Sequence, residues 1–225
     1  MNPLLKIVLM CTLSIQGLAD DPIVLKRFET LYRQKRMMKA TFLETYSEDG
    51  HITRKEAGVA YFLQPGKMRW EYQVPEKNLF ISDGKYVWFY VPADHTVTRM
   101  PARQSSDWRT PFALLAGEMK LSRLCAHWKV ETQEHPTSPD GVVISCILHD
   151  AGKDKSDQGQ HSLFLEIARG SGELARVTVR DPGGITIEFQ FTNWRMDEPA
   201  AEALFRFSAP IGVTIVDGFN APDHP

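Results

Sequence analysis

Apolar and polar residues alternate along most of this chain, in the pattern expected of half-buried β-strands. The clearest case is the segment from Ile185 to Thr192, in which every second residue is large and apolar. Similar runs recur from residue 40 onward and are separated by turn signals such as Asp49-Gly50 and Asp83-Gly84. The pattern predicts about ten or eleven short strands, without the strand–helix alternation that builds a parallel sheet.

Two helical segments interrupt this pattern. Asp21-Pro22 has the form of a helix N-terminus, and the residues after it are apolar at helical spacing: Val24, Leu25, Phe28, Leu31 and Tyr32. Thr110-Pro111 opens a second, shorter segment that carries Phe112 and Leu115. The predicted fold is therefore mainly β with helices (α+β), an incomplete and strongly curved antiparallel barrel with helices across its mouth.

The stretch from residue 61 to residue 100 predicts an antiparallel meander with strongly aromatic strand faces. Large side chains occupy alternate positions in two of its strands: Met68, Trp70 and Tyr72, then Tyr86, Trp88 and Tyr90. Side chains at alternate positions lie on one face of a strand, and a face this apolar must pack against other elements or hold a ligand. Met68, Trp70 and Tyr72 are the first candidates for the inner face, although the alternation alone does not decide which face points inward.

Several motifs follow one another in and around this stretch: Pro65-Gly66-Lys67-Met68-Arg69-Trp70-Glu71-Tyr72, Ser82-Asp83-Gly84-Lys85, Trp88-Phe89-Tyr90, Thr110-Pro111-Phe112-Ala113-Leu114-Leu115, and Phe205-Arg206-Phe207 with Pro210-Ile211-Gly212-Val213. Taken together and in this order, they resemble the periplasmic outer-membrane lipoprotein carrier family (LolA). No single motif is specific, but the ordered set spans residues 23–217. The resemblance implies the same unclosed barrel, with a short helical lid over a cavity that binds acyl chains.

The resemblance also implies roles for particular residues. It favours Met68 and Trp70 as cavity-lining residues, and Phe112 and Leu115 match lid residues that plug the cavity when it is empty. Tyr32 is the corresponding residue of the first helix, where the family usually has an aliphatic side chain. For each of them, the alternative is a permanent position in the core.

One position departs from the family pattern. Carriers of this family commonly have Arg just before the Pro-x-x-x-x-Trp segment, where this chain has Gln64. In the family, that Arg is tied to lid closure and to efficient handoff of the cargo. A neutral donor contributes about 0.5–1.5 kcal/mol to a hydrogen bond, against about 1.5–3 kcal/mol for a charged one. The lid of this protein is therefore expected to be less firmly latched.

The N-terminus predicts export. Lys6 precedes an apolar run from Ile7 to Ile15, and Gly17-Leu18-Ala19 has the form of a signal-peptide cleavage site. Cleavage after Ala19 would remove residues 1–19 and leave residues 20–225 as a single domain in the periplasm. A lipoprotein signal using Cys11 is the alternative, but Met10 is bulky where that signal needs a small residue.

The two cysteines of the mature chain leave two interpretations open. An exported compartment permits disulfides, so Cys125 and Cys146 could form one. A regular hairpin between them would place Cys146 opposite a residue well after Cys125, and only a bulge or a longer loop would bring the two together. The alternative is a pair of small, buried, apolar side chains.

Composition and motifs argue against several classes of function. The formal net charge of −2 gives no basic field for nucleic acid. The sequence has no nucleophile elbow, phosphate-binding loop, Cys-x-x-Cys pair or metal-ligand spacing, so neither a cofactor nor a metal is expected, and the chain is not expected to be an enzyme.

The function implied by the resemblance is that of a monomeric chaperone for acylated lipoproteins. It would take them from an ATP-driven releasing complex in the inner membrane to an acceptor lipoprotein in the outer membrane. One alternative is a related carrier of another acylated lipid or lipid-linked product. Another is a sensor or regulatory domain that binds protein on the same fold.

Overall fold

The described part of the chain is built on a 12-stranded sheet that curls around one apolar face, which helix α1 covers. The computed structural model describes residues 21–102, 116, 121–148, 162–197, 199 and 201–217. In chain order its helices and strands are α1 (Asp21–Gln34), β1 (Met37–Glu48), β2 (His51–Leu63), β3 (Lys67–Val74), β4 (Leu79–Ser82), β5 (Tyr86–Val91), β6 (Thr96–Pro101), α2 (Leu121–Leu124), β7 (Cys125–Val130), β8 (Gly141–Leu148), β9 (Ser162–Ala168), β10 (Leu174–Arg180), β11 (Ile185–Met196) and β12 (Thr214–Asp217).

The order of strands across the sheet is β12-β6-β5-β4-β3-β2-β1-β11-β10-β9-β8-β7. Among the described strands the edges are β12 and β7, so the sheet is open, as expected of an incomplete barrel. The prediction of an incomplete antiparallel barrel of about ten or eleven strands is confirmed. The described strand that it did not include is β12, which pairs in parallel with β6. All four residues of β12 are exposed, so the segment has no apolar alternation that a sequence pattern could reveal.

Helix α1 forms where the sequence predicts it. Its buried residues are Val24, Leu25, Phe28 and Tyr32, which share one face of the helix and join the core of the sheet. The Arg27 guanidinium, on another face, donates to the backbone carbonyls of Arg169 and Gly170 in the turn between β9 and β10. Within the described residues, no helix is long and apolar enough to cross a membrane.

The inner face of the sheet, defined here as the face that α1 covers, carries the core. On β1 the inward positions hold Met38, Ala40 and Phe42, none of them more than 1% exposed. The neighbouring strand β11 adds Phe189 and Phe191, which lie opposite Glu44 and Phe42 in the β1–β11 register. These residues belong to one continuous apolar cluster that extends from α1 to β8.

Tyr86, Trp88 and Tyr90 of β5 point the other way, whereas Phe89 packs against the inner cluster. Val87 is buried on the inner side, whereas Trp88 lies on the outer face, where its ring stacks on Phe207 at 5.2 Å between centroids. Arg99 of β6 lies over the Trp88 ring and forms an ion pair with Asp217 of β12 at 2.6 Å. The C-terminal segment therefore covers the outer aromatic residues, and the two aromatic stripes seen in the sequence belong to opposite faces.

A disulfide joins Cys125 of β7 to Cys146 of β8, with 5.3 Å between the Cα atoms. In the β7–β8 register, Cys125 lies opposite Leu148 and Cys146 lies opposite Trp128, and a bulge follows Cys125. The irregularity brings the two sulfur atoms within bonding distance although the cysteines are not direct partners. Of the two interpretations that the sequence leaves open, the structure has the disulfide.

Candidate functional site

Strand β3 places three large side chains on the inner face. Met68, Trp70 and Tyr72 are 5%, 0% and 3% exposed, as expected from their alternate positions. On the adjacent strand β2, Ala60 lies opposite Trp70 and Gly58 lies opposite Tyr72. Small residues on β2 leave room for the large rings of β3, so the two strands together form a close-packed aromatic surface.

Trp70 is the centre of this surface. Its ring lies 5.0 Å from Phe42, 5.7 Å from Phe62, 5.5 Å from Phe189 and 6.0 Å from Phe191, measured between centroids. Each of these contacts is edge-to-face, a geometry that stabilises aromatic pairs beyond simple burial. The four neighbours come from β1, β2 and β11, so Trp70 links β3 to two strands that precede it in the chain and to one, β11, that is distant in sequence.

Tyr32 attaches α1 to the sheet. Its hydroxyl oxygen accepts a hydrogen bond from the backbone N–H of Leu174 at 2.8 Å, and the indole N–H of Trp194 donates to the Leu174 carbonyl at 2.8 Å. Burial raises the pKa of the Tyr32 phenol far above its ordinary value, so the hydroxyl stays protonated at neutral pH. The helix is therefore fixed to the first residue of β10 by a polar contact inside the apolar core.

Gln64 also contacts α1. Its side-chain amide donates to the carbonyl of Tyr32 at 2.5 Å and to that of Arg33 at 3.2 Å, and its backbone N–H donates to the carbonyl of Arg36 at 2.9 Å. The last carbonyls of a helix have no partner within the helix, so a donor at this point completes its end. Gln64 therefore links the turn after β2 to the C-terminus of α1.

Glu44 is a buried carboxylate on the inner face, which the sequence analysis did not place in the site. It follows Phe42 by two positions on β1 and is 1% exposed. The Tyr72 hydroxyl donates to one of its oxygens at 2.8 Å. The inward position of Glu44 could have been predicted from the sequence. The inward positions of β1 are every second residue, Met38, Ala40 and Phe42, and Glu44 is the next one.

The site offers apolar surface rather than reactive groups. Within the described parts of the chain, no group of three or more His, Cys, Asp or Glu side chains is placed to hold a metal ion. The inner face presents aromatic rings and the Met68 thioether, with the phenols of Tyr32 and Tyr72 among them. Such a surface binds an apolar chain by burying it.

Comparison with known proteins identifies the family. A family model described as "Outer membrane lipoprotein carrier protein LolA" matches residues 33–208, which is most of the chain. The chain belongs to the LolA family. Its relatives include the outer-membrane lipoprotein carrier protein of Aliivibrio salmonicida, 29% identical over 82% of this chain and 85% of that protein. The protein of the same name from Methylococcus capsulatus is 29% identical over 85% of this chain and 86% of its own length.

A solved structure supports the fold. A conserved protein from Thermus thermophilus, described as uncharacterized, superimposes on this chain with a TM-score of 0.54. The match covers 88% of this chain and 99% of that one, at 17% sequence identity. At this identity the likeness concerns the fold alone, and it extends over most of this chain and nearly all of that one.

The site residues predicted from the LolA resemblance fall into two groups. Tyr32, Met68, Trp70 and Tyr72 are all buried in the cluster that lines the inner face. Phe112 and Leu115, the predicted lid residues, lie outside the described residues. Ala116, which the structure does describe, accepts a hydrogen bond at its carbonyl from the backbone N–H of Gly66 at 3.1 Å. Contact with a ligand stays a prediction for all six.

Gln64 makes a contact that the LolA pattern did not predict. Arginine at this position was expected to latch a lid, and Gln64 to latch it less firmly. The structure shows the Gln64 amide on the C-terminal carbonyls of α1. The predicted latch between position 64 and the lid involves residues outside the described ones, so it stays a prediction. The contact between Gln64 and α1 is separate from that latch.

We expect Gln64→Leu to loosen the end of α1. Loss of a neutral donor costs about 0.5–1.5 kcal/mol, which corresponds to amide exchange about 2- to 10-fold faster in the last turn of the helix. Gln64→Arg should slow exchange there, because a cation is favoured at a helix C-terminus. Hydrogen exchange followed by mass spectrometry measures both effects.

Lys67→Gln is the matched control for this experiment. Lys67 lies after the same turn, but its ammonium pairs with Glu202 at 2.5 Å and not with α1. This variant should leave exchange in α1 unchanged. If Gln64→Leu also left it unchanged, the amide of Gln64 would contribute nothing to holding the helix.

Proposed function

We propose that this protein is a periplasmic chaperone that binds the acyl chains of lipoproteins against the inner face of its sheet and carries them from the inner to the outer membrane. The observation that carries the proposal is a continuous aromatic face, built by β1, β2, β3 and β11 and covered by α1, in a chain of the LolA family. Relatives at 29% identity bear the name outer-membrane lipoprotein carrier protein, which supports the same cargo.

The proposed acyl contacts are those inferred from the sequence. In this proposal, Met68, Trp70 and Tyr72 contact the acyl chain from strand β3, and Tyr32 contacts it from α1, the helix that covers this face. Phe112 and Leu115 would belong to the lid. The described interior is filled by its own side chains, so an acyl chain requires that some of these move. Helix α1 is the proposed element to move, and among the described residues Tyr32, Gln64 and Arg27 make the polar contacts that attach it to the rest of the protein.

Energetics limits how completely the cargo is enclosed. Burial of one methylene contributes about 0.8 kcal/mol, so a fully covered acyl chain would be held by more than about 10 kcal/mol. A carrier without an energy source could not release such a ligand at a useful rate. The direction of transfer is therefore proposed to come from the partners, an ATP-driven releasing complex in the inner membrane and an acceptor lipoprotein in the outer membrane.

Export to the periplasm is proposed to proceed through a signal peptide cleaved after Ala19. The disulfide between Cys125 and Cys146 supports an oxidising compartment, because such bonds are rare in the cytosol. The mature chain, residues 20–225, would then act as a single domain and as a monomer.

The proposal is tested by identifying what the protein binds. The mature protein is purified from the periplasm without detergent and examined by native mass spectrometry. We expect bound species in which acyl chains are attached to a polypeptide. An acylated lipid without polypeptide would indicate a related lipid carrier, and a ligand-free protein that also fails to take up lipoprotein from inner-membrane vesicles would contradict the proposal.

Met68→Glu should abolish this binding. The charge would lie on the inner face, where Met68 is 5% exposed, and would meet acyl chains without a partner. Gln73→Glu adds the same charge at an exposed position of the same strand and is the matched control. The amount of co-purified cargo is compared after circular dichroism has shown both variants folded. Equal loss of cargo in both would show that net charge, and not the inner face, decides binding.

A further inference from the structure

An open groove of about 400 Å³ runs along the exposed side of α1, next to the turn that joins β9 to β10. Its volume is within the range of small-molecule sites in proteins. The side chains that line it include those of Ile23, Lys26, Arg27, Thr30, Gln34 and Ser171. The groove is therefore separate from the aromatic inner face, which the opposite side of the helix covers.

The β9–β10 turn is packed closely against α1 and forms one wall of the groove. The Arg27 guanidinium donates to the backbone carbonyls of Arg169 and Gly170 in this turn. Gly172 has a φ of +77°, and a Cβ atom there would lie 2.9 Å from Cγ of Arg27. Only glycine permits both this conformation and this approach. The groove is thus built by contacts between two elements and not by the helix alone.

The polar side chains of the groove offer hydrogen-bond donors. Lys26, Thr30 and Gln34 follow one another at intervals of four residues, which places them in one row along the helix. The Ser171 hydroxyl accepts a hydrogen bond from the backbone N–H of Glu173 at 3.2 Å, so its own proton is available to a ligand. An ammonium, hydroxyls and an amide are groups with which proteins contact phosphate oxygens.

The charge of this part of the chain favours an anionic ligand. Residues 26–36 contain five basic side chains and one acidic side chain, Glu29. Of the basic ones, Lys35 is paired with Asp197 at 2.6 Å. Among the described residues, no carboxylate forms an ion pair with Lys26 or with Arg33, which lies two helical turns from Lys26 on the same side. The groove therefore attracts negative charge.

An apolar residue beside these donors favours a lipid over a free phosphate ion. Ile23 lines the groove one helical turn before Lys26 and is 55% exposed. Large apolar side chains next to basic ones are typical of helices that lie at the surface of an anionic membrane. The groove is also small, and its size suits one lipid headgroup better than the interface of a folded protein.

We propose that the groove along α1 binds the phosphate group of an anionic phospholipid and so docks the protein on a membrane surface. Lys26, Thr30, Gln34 and Ser171 would be the donors to the phosphate, and Ile23 would contact the acyl region. The choice of a membrane lipid rests on the proposed function, which brings the protein to membranes and places acyl chains beneath α1. Docking is expected to be weak and reversible, because it depends on a few exposed basic residues.

Binding to vesicles tests the proposal. The mature protein is sedimented with vesicles of phosphatidylcholine alone and with vesicles that also contain phosphatidylglycerol, at low ionic strength. We expect binding to the anionic vesicles only, and less of it as salt is added. Lys26→Gln should weaken this binding about fivefold, the effect of one basic residue at an anionic membrane. Thr30→Val leaves the charge unchanged and should also weaken it, because it removes a donor.

Lys55→Gln is the matched control. Lys55 is exposed on β2, nine residues before Gln64, which is the residue that contacts α1. The variant has the same net charge as Lys26→Gln and should bind anionic vesicles as the wild type does. Equal weakening by Lys26→Gln and Lys55→Gln would show that only the overall charge matters, and would overturn the proposal. So would equal binding of the wild type to both kinds of vesicle.

Backbone NMR signals of the wild type locate the site without any substitution. On titration with short-chain phosphatidylglycerol, we expect shifts in residues 23–34 and at Ser171. Inorganic phosphate at the same concentration should shift these signals less. Equal shifts with the two ligands would overturn the assignment to a lipid, and shifts confined to other residues would overturn the assignment to the groove.

Failure of this inference can be told apart from failure of the proposed function. A protein that co-purifies with lipoprotein but does not bind anionic vesicles contradicts the inference alone. A protein that binds the vesicles through the groove but never takes up lipoprotein contradicts the proposed function. If anionic vesicles are not bound but Lys26→Gln slows uptake of lipoprotein from inner-membrane vesicles, the groove contacts an acidic protein and the lipid proposal is wrong.

Discussion

Trp70→Ala is expected to lower the free energy of unfolding by about 3–5 kcal/mol, the loss usual for a large aromatic residue removed from a packed core. Trp70 is fully buried, and its ring contacts four phenylalanine rings from three other strands. Its removal leaves a cavity that these rings can fill only if their strands shift. Urea unfolding followed by circular dichroism gives the change directly.

Trp88→Ala is the control, because Trp88 lies in the same meander as Trp70 but on the outer face of the sheet. Its ring stacks on Phe207 and remains partly exposed, so we expect a clearly smaller loss of stability. A loss for Trp70→Ala no larger than that for Trp88→Ala would show that the aromatic cluster is loosely packed in the resting protein.

The size of this effect bears on how the cargo is bound. A large loss would mean that the resting interior is a closed core, and that an acyl chain enters only after rings of the cluster have moved. A ligand that takes their place then stabilises the folded protein by mass action, so its effect on the unfolding midpoint should grow with ligand concentration.

Local pattern predicted most of the sheet, and it failed where strands lack a buried face. The alternation in β3 and β11 follows from burial on one side, so both strands were predicted within a few residues. β12 is exposed at every position and pairs with β6 across more than a hundred residues of chain. The sequence of β12 itself therefore gives no indication of its pairing with β6. The same C-terminal segment supplies Phe207, which covers the outward-facing Trp88.

The site was only partly predictable, for a related reason. The inward position of Trp70 follows from alternation, but the contacts of Tyr32 and Gln64 are made to backbone atoms of distant elements. A backbone donor or acceptor has no signature in the sequence, so such attachments are seen only in the folded chain. Glu44 is different: its inward position follows from the period of β1, and only the usual exposure of carboxylates argued against it.

Removal of the disulfide is expected to lower the free energy of unfolding by about 2–4 kcal/mol. Cys125 and Cys146 are 21 residues apart, so the bond closes a loop of moderate length and restricts the unfolded chain. It also holds β7, which lies at an edge of the described sheet and pairs only with β8 there. The double variant Cys125→Ala/Cys146→Ala should therefore lose stability and show faster amide exchange in β7 than in β3.

The control is the effect of a reductant on the stability of the wild type and of the double variant. Dithiothreitol should bring the stability of the wild type close to that of the double variant, because it opens the same bond, and should leave the double variant unchanged. Titration of free thiols in the unfolded, unreduced wild type should find none in the mature chain. Two free thiols, together with a stability that the reductant does not alter, would show that the cysteines are a buried apolar pair. The bond could then no longer support the proposed export to the periplasm.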